Sequence, residues 1–209
     1  MKKTKNILCF GDSNTWGYNP KDGSRFAYQA RWTGNLAGRL GEDYFIIEEG
    51  LNGRTTVFDD PYTFTHSRNG SKNLPMILNP HKPLDLVILF LGTNDLKRTF
   101  NAEAHMIAKG MESLIKIVRS ILAEELPEIV VVSPPNIAEL SDFKEEYEEA
   151  SRVLHKLPSA YEKVAVEQGV HFLNITDRIT ASPLDGVHLD EKGHQNLAEM
   201  MEKKIKEMI

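Results

Sequence analysis

The sequence predicts an α/β protein, a three-layer α/β/α sandwich around a central five-stranded parallel sheet. Five short apolar runs rich in β-branched residues alternate with longer stretches whose apolar residues recur at three and four. The third run, Leu86-Val87-Ile88-Leu89-Phe90-Leu91, is apolar at every position, as a central strand covered on both faces must be. The 209 residues are 41% hydrophobic and 26% charged, a globular balance with enough apolar material for one core. No repeat, low-complexity tract or linker breaks the pattern, so residues 1–209 read as one domain.

Strands are expected at 7–10, 44–47, 86–91, 129–132 and 170–175. A short helix over 32–40 follows the first. In 101–126 the set Ile107, Met111, Leu114, Ile115, Val118, Ile121 and Leu122 forms one buried stripe, and Pro127 ends it. Residues 142–168 are helical in composition, with Pro158 breaking or kinking them. The charged run 144–149 reads as a solvated face. The last helix, 191–208, repeats Leu197, Met201, Ile205 and Met208 behind Asp190 as its N-cap. The order β-α-β-(loop)-β-α-β-α-β-α calls for parallel strands with crossover helices on both faces. Residues 54–72, rich in Asp, Thr, Gly and aromatics, keep no period; a loop that long in a compact domain is usually functional.

Several classes are set aside. The 25 Lys+Arg against 30 Asp+Glu give a net charge of −5 without a basic cluster, which argues against nucleic acid as a partner. No run nears the ~18 apolar residues of a membrane span. The start, Met1-Lys2-Lys3-Thr4-Lys5-Asn6, is basic, but the apolar run after it stops at Phe10, too short for a signal peptide. The lone Cys9, expected inside the first strand, suits a reducing compartment, so the expected location is cytoplasmic.

In open α/β sheets ligands bind beyond the carboxyl ends of the strands. There the sequence carries Gly11-Asp12-Ser13-Asn14-Thr15-Trp16-Gly17, then Gly50-Leu51-Asn52-Gly53-Arg54-Thr55-Thr56, then Gly92-Thr93-Asn94-Asp95, and finally Asp185-Gly186-Val187-His188. Together they supply what acyl transfer needs. A serine hydroxyl requires a base, and imidazole serves near neutral pH. A carboxylate on the other ring nitrogen fixes the tautomer. Ser13, His188 and Asp185 can fill those roles. Oxyanion donors would be the Ser13 N–H, the Gly53 N–H, with no Cβ to hinder close approach, and the Asn94 carboxamide. Asp95 reads as structural support; Arg54 could bind a substrate carboxylate, but reads better as a pin between its loop and Asp59 or Asp60.

On these four blocks the sequence resembles the SGNH (GDSL) hydrolases over nearly its whole length. Gly-Asp-Ser-Asn-Thr-Trp-Gly, the turn at 50–56 and the run 86–95 look most like the arylesterase/acyltransferase branch, whose first block usually has Leu where this chain has Asn14. The resemblance implies a flavodoxin-like SGNH hydrolase fold. It also implies a Ser13-His188-Asp185 triad, an oxyanion hole of Ser13, Gly53 and Asn94, and a small ester as substrate. Members of the branch pass the acyl group to alcohols as well as water, need no metal or organic cofactor, and suggest a homo-oligomer. Asp12, Trp16, Asn136, Ile137 and Val187 are expected to border the substrate. The aromatics Trp16, Tyr18, Phe26, Phe58, Tyr62 and Phe64 near the mouth could line an acyl or aryl pocket or cover a neighbouring subunit, and the resemblance suggests that this segment helps build an oligomer whose contacts narrow the active-site channel.

Two other readings use the same residues. Asp185, His188, Asp190 and His194 have the spacing of a zinc site and would make a metal-dependent hydrolase. Alternatively, Gly11 to Gly17 could cradle a phosphate in a non-catalytic binding module, although the P-loop Lys and the G-x-G-x-x-G spacing are both missing.

Overall fold

A computed structural model describes residues 4–63 and 65–209. It contains one parallel sheet of five strands: β1 (Lys5–Gly11), β2 (Tyr44–Gly50), β3 (Leu86–Phe90), β4 (Glu128–Val132) and β5 (His171–Leu173), in the order β2-β1-β3-β4-β5. Ile7 pairs with Leu86 and Cys9 with Ile88 in the central pair, so side chains of equal parity line each face. Leu8, Phe10, Val87, Leu89, Ile129 and Val131 face one helical layer. Ile7, Cys9, Leu86, Ile88, Val130 and Val132 face the other. This alternation makes β3 apolar throughout.

The first layer holds α3 (Gly70–Leu78), α4 (Ala104–Ile121), α6 (Ala150–Leu154) and α7 (Leu157–Gln168). The second holds α2 (Trp32–Leu40) and α8 (Glu191–Met208), with Trp32, Leu36, Leu197, Met201 and Ile205 fully buried between them and the sheet. The helix expected over 101–126 is shorter because Asn101 adopts φ +44, a left-handed turn that helix cannot include. The segment 142–168 divides into α5 (Lys144–Tyr147), α6 and α7, and Pro158 lies in the first turn of α7, where its missing N–H costs nothing.

Two helices were not legible. The single turn α1 (Ser13–Trp16) is too short to show a period. The other, α3, lies at the end of the stretch expected to be a loop, where Pro75 and an opening glycine mask its periodicity; Asn69 caps it by accepting from the Ser71 N–H at 3.0 Å. Among the described residues no helix is long and apolar enough to cross a membrane. The strand order reverses between β1 and β3, so the crevice at their carboxyl ends is where a ligand site belongs.

Candidate active site

β1 delivers Asp12 and Ser13 to that crevice. Asp12 caps α1 by accepting from the Asn14 N–H at 2.9 Å, which starts the chain into a helix with Ser13 as its first residue. Gly50 lets α1 lie on the end of β2, because a Cβ there would strike the Trp16 backbone. Asn14 turns away from the crevice: its Oδ1 accepts from the Leu189 N–H at 2.9 Å and ties the serine turn to a segment 175 residues distant.

That tie brings His188 over Ser13. Nε2 of His188 lies 3.0 Å from Ser13 Oγ, and Nδ1 lies 2.6 Å from Asp185 Oδ2. A carboxylate has no proton to give, so Nδ1 donates to Asp185 and Nε2 is left to accept from the serine hydroxyl. Asp185 Oδ1 accepts from the Val187 and His188 N–H groups at 2.9 and 3.0 Å. Burial alone would raise the Asp185 carboxyl; the donors around it outweigh burial and hold it below the usual carboxylate range. The His188 ring is packed as well as bonded, stacked on Tyr18 at 4.0 Å and met edge-on by Phe143 at 5.5 Å.

Asn94 opens a short 3₁₀ turn after β3 and is held at both ends of its carboxamide. Nδ2 donates to the Arg54 carbonyl at 3.1 Å, and Oδ1 accepts from the Tyr147 hydroxyl at 3.2 Å. Asp95, fully buried, accepts from the Thr56 N–H at 3.0 Å and from the Thr56 hydroxyl, so this turn clasps the Gly53 loop from two sides. Burial pushes Asp95 up to about 7 and Asp12 up to about 6, against the hydrogen bonds each accepts. Gly53 has φ +79, a left-handed conformation, while a Cβ there would meet only ordinary contacts. That conformation by itself calls for glycine at this position.

Ser13, Tyr18, Asn52, Gly53, Asn94, Lys97, Phe143, Tyr147, Val187 and His188 enclose a cleft of about 200 Å³. The four sequence blocks therefore meet at one rim.

The sequence profile of the GDSL-like lipase/acylhydrolase family matches residues 9–195. The chain belongs to that family. As a GDSL member it is an esterase, a carboxylic ester hydrolase. Est24, a carbohydrate acetylesterase from Sinorhizobium meliloti, is 38% identical and superimposes with a TM-score of 0.93, covering 99% of this chain and 100% of its own. The aryl esterase of M. smegmatis gives the same identity, TM-score and coverage. An acetylxylan esterase of Xylanibacter ruminicola is 24% identical over 96% of this chain but only 43% of its own length, so this GDSL chain spans less than half of that relative.

Of the expected substrate-bordering residues of this GDSL esterase, Val187 lines the cleft and the others do not reach it. Asp12 is wholly buried as a helix cap. Trp16 lies under the Arg25 guanidinium, 5.2 Å from its ring centroid. After β4 the chain turns aside to form a bridge between Asn136 and Thr180, which carries Asn136 to a separate cavity and Ile137 into the core. The segment that covers the crevice instead is 143–147. Its glutamates are solvated as expected, but Tyr147 turns inward, and the only sequence signal was a Phe143/Tyr147 pair four residues apart in a charged run. Tyr18 reaches the cleft; Phe64 lies outside the described residues.

Arg54 pins its loop, but not to Asp59 or Asp60. It is buried, donates to the Gly11 carbonyl at 2.8 Å and to the Glu49 carbonyl, and lies 4.1 Å over the Phe10 ring. Asp59 instead pairs with Lys72 at 2.8 Å. The zinc-like set does not converge. His194 Nδ1 accepts from the Trp32 N–H at 3.2 Å, Asp190 caps α8 on the Gly193 N–H at 2.7 Å, and Asp185 is spent on His188. Among the described residues no three His, Cys, Asp or Glu side chains are grouped to hold a metal.

Proposed function

We propose that this GDSL esterase removes short acyl groups, acetyl above all, from carbohydrate hydroxyls through an acyl-enzyme on Ser13. The observation that carries the reading is the relay of Ser13, His188 and Asp185 at 3.0 and 2.6 Å, in a cleft that Gly53 and Asn94 also line. His188 takes the Ser13 proton as Oγ attacks the ester carbonyl. The oxyanion that forms lies against the N–H of Ser13, which as first residue of a helix has no acceptor within it, the N–H of Gly53 and Nδ2 of Asn94. His188 then gives its proton to the departing alcohol oxygen. Water enters, loses a proton to His188 and attacks the acyl carbon, which returns Ser13. An alcohol in place of water gives acyl transfer by the same steps.

Tyr147 acts here as a positioning residue, holding the Asn94 carboxamide so that Nδ2 faces the oxyanion. Asp185 keeps the imidazole in the tautomer that accepts from Ser13. The cleft, about 200 Å³, is below the ~300 Å³ at which pockets for drug-sized ligands begin, and so suits a short acyl group. The carbohydrate part of the reading rests on the similarity to Est24 and to the acetylxylan esterase. A homo-oligomer in the cytoplasm belongs to the same reading; light scattering of the purified chain tests the assembly. The deciding experiment is organophosphonate labelling: one adduct on the peptide carrying Ser13, absent in Ser13→Ala, is expected. An adduct that persists in that variant would overturn the nucleophile.

A further inference from the structure

We propose that the cavity on the far side of Lys97 is a subsite for the polyhydroxylated alcohol of the ester, seating a sugar ring while its acyl group occupies the catalytic cleft. This rests on the carbohydrate-ester reading above. The cavity has about 400 Å³ and is lined by Asp60, Tyr62, Thr63, Lys97, Thr99 and Glu146, with Phe100 beneath. Lys97 also lines the catalytic cleft, so the two spaces share a wall. Its Nζ pairs with Glu146 at 2.7 Å and stands 5.8 Å from the ring of Tyr147, which itself lines the cleft. A substrate whose carbonyl oxygen lies among the Ser13, Gly53 and Asn94 donors has room there for its acyl group but not for a bulky alcohol. The alcohol must extend beyond the cleft, and the second cavity adjoins it.

The lining fits a neutral polyol better than the alternatives. Lys97 and Glu146 cancel as charges, and the remaining carboxylate of Asp60 disfavours an anionic ligand. Thr63, Thr99 and Asp60 offer hydroxyl and carboxylate partners, which an alkyl or aryl alcohol would leave without hydrogen bonds. Tyr62 is 74% exposed, a flat apolar face of the kind against which the C–H side of a sugar ring packs. The aperiodic stretch 54–72 thereby acquires a purpose. It carries Asp60, Tyr62 and Thr63 to the cavity and is anchored behind them by Asn69 Nδ2 on the Val57 carbonyl at 2.6 Å and by the Asp59–Lys72 pair.

The test compares kcat/KM for a mono-O-acetylated methyl xyloside with that for ethyl acetate, in the wild type, Tyr62→Ala and Thr99→Val. Both variants change exposed side chains, and the ratio within each protein corrects for any difference in folded fraction. The wild type should prefer the sugar ester. Tyr62→Ala should lower the ratio about tenfold through lost ring packing, and Thr99→Val about threefold or more through one lost hydrogen bond. A wild-type preference that both variants retain in full overturns the subsite and leaves the carbohydrate reading standing. A wild type without preference overturns the carbohydrate reading itself; in that event, inhibition of ethyl acetate hydrolysis by methyl xyloside that Tyr62→Ala relieves would still support the subsite, and no such inhibition would end it.

Discussion

Replacing Tyr147 by phenylalanine deletes one hydroxyl and keeps the ring that packs beside Phe143 and Lys97. The hydroxyl is buried and donates to Asn94 Oδ1 at 3.2 Å. Burial pushes the phenol well above its ordinary value, so it keeps its proton at any working pH. Without it, the Asn94 carboxamide is held only by Nδ2 on the Arg54 carbonyl, the same atom proposed to meet the oxyanion. A lost neutral hydrogen bond in a buried site is worth about 1–2 kcal/mol. Felt in the transition state, that is roughly 5- to 30-fold in kcat. Asn94→Ala, which removes the donor outright, should cost on the order of 10²–10³-fold. Once Asn94 is gone the Tyr147 hydroxyl has nothing to orient, so Tyr147→Phe in that background should cost less than about twofold. Steady-state kinetics of the four proteins on phenyl acetate give the cycle. Equal factors in both backgrounds, or an effect confined to KM, would refute the positioning argument.

Asp185→Asn should lower kcat by up to ~10⁴-fold by freeing the wrong imidazole tautomer; a rate within tenfold of wild type would make the site a Ser13-His188 dyad. Asn14→Leu strands the Leu189 N–H but also removes a buried amide nitrogen without a partner, so unfolding free energy should change by only about 1 kcal/mol. Its kcat should nevertheless fall severalfold, because the tie between the Ser13 and His188 segments is lost; unchanged kcat would deny that role. Burial holds His194 down at about 4 against an ordinary 6.5. An unfolded ring binds its proton as pH drops below 6.5 and the folded one waits until about 4, so stability is lost on acidification across that window. Two to three pH units correspond to roughly 3 kcal/mol. Urea unfolding at pH 7.5 and 4.5 should show His194→Gln with a smaller difference than wild type, and an identical difference would assign the acid sensitivity elsewhere.

The layered fold was readable because its signals are local. A strand buried on both faces must be apolar throughout, and a helix on a sheet must repeat its apolar residues, so 86–91 and 191–208 declared themselves. The four polar blocks were readable for a related reason: each directly follows a strand or leads into the last helix. Residues that act through long-range contacts left weaker marks. Tyr147 sits in a charged run that is indeed solvated on its other faces. Arg54 finds its partners on the main chain of β1 and β2, which no side-chain pattern announces. Asn136 and Ile137 follow a strand as Ser13 and Asn94 do, yet the bridge to Thr180 turns them away.

By itself the order of residues determined the α/β architecture and the esterase family, and it nominated the groups proposed to do the chemistry, since periodicity and short motifs are properties of neighbours along the chain. Only the tertiary structure decided which of those groups meet. A hydrogen bond from Leu189 to Asn14, a tyrosine arriving from 53 residues beyond Asn94 and a cavity that Asp60 and Tyr62 line together with Lys97 depend on how distant segments pack, and packing in three dimensions leaves no period in one.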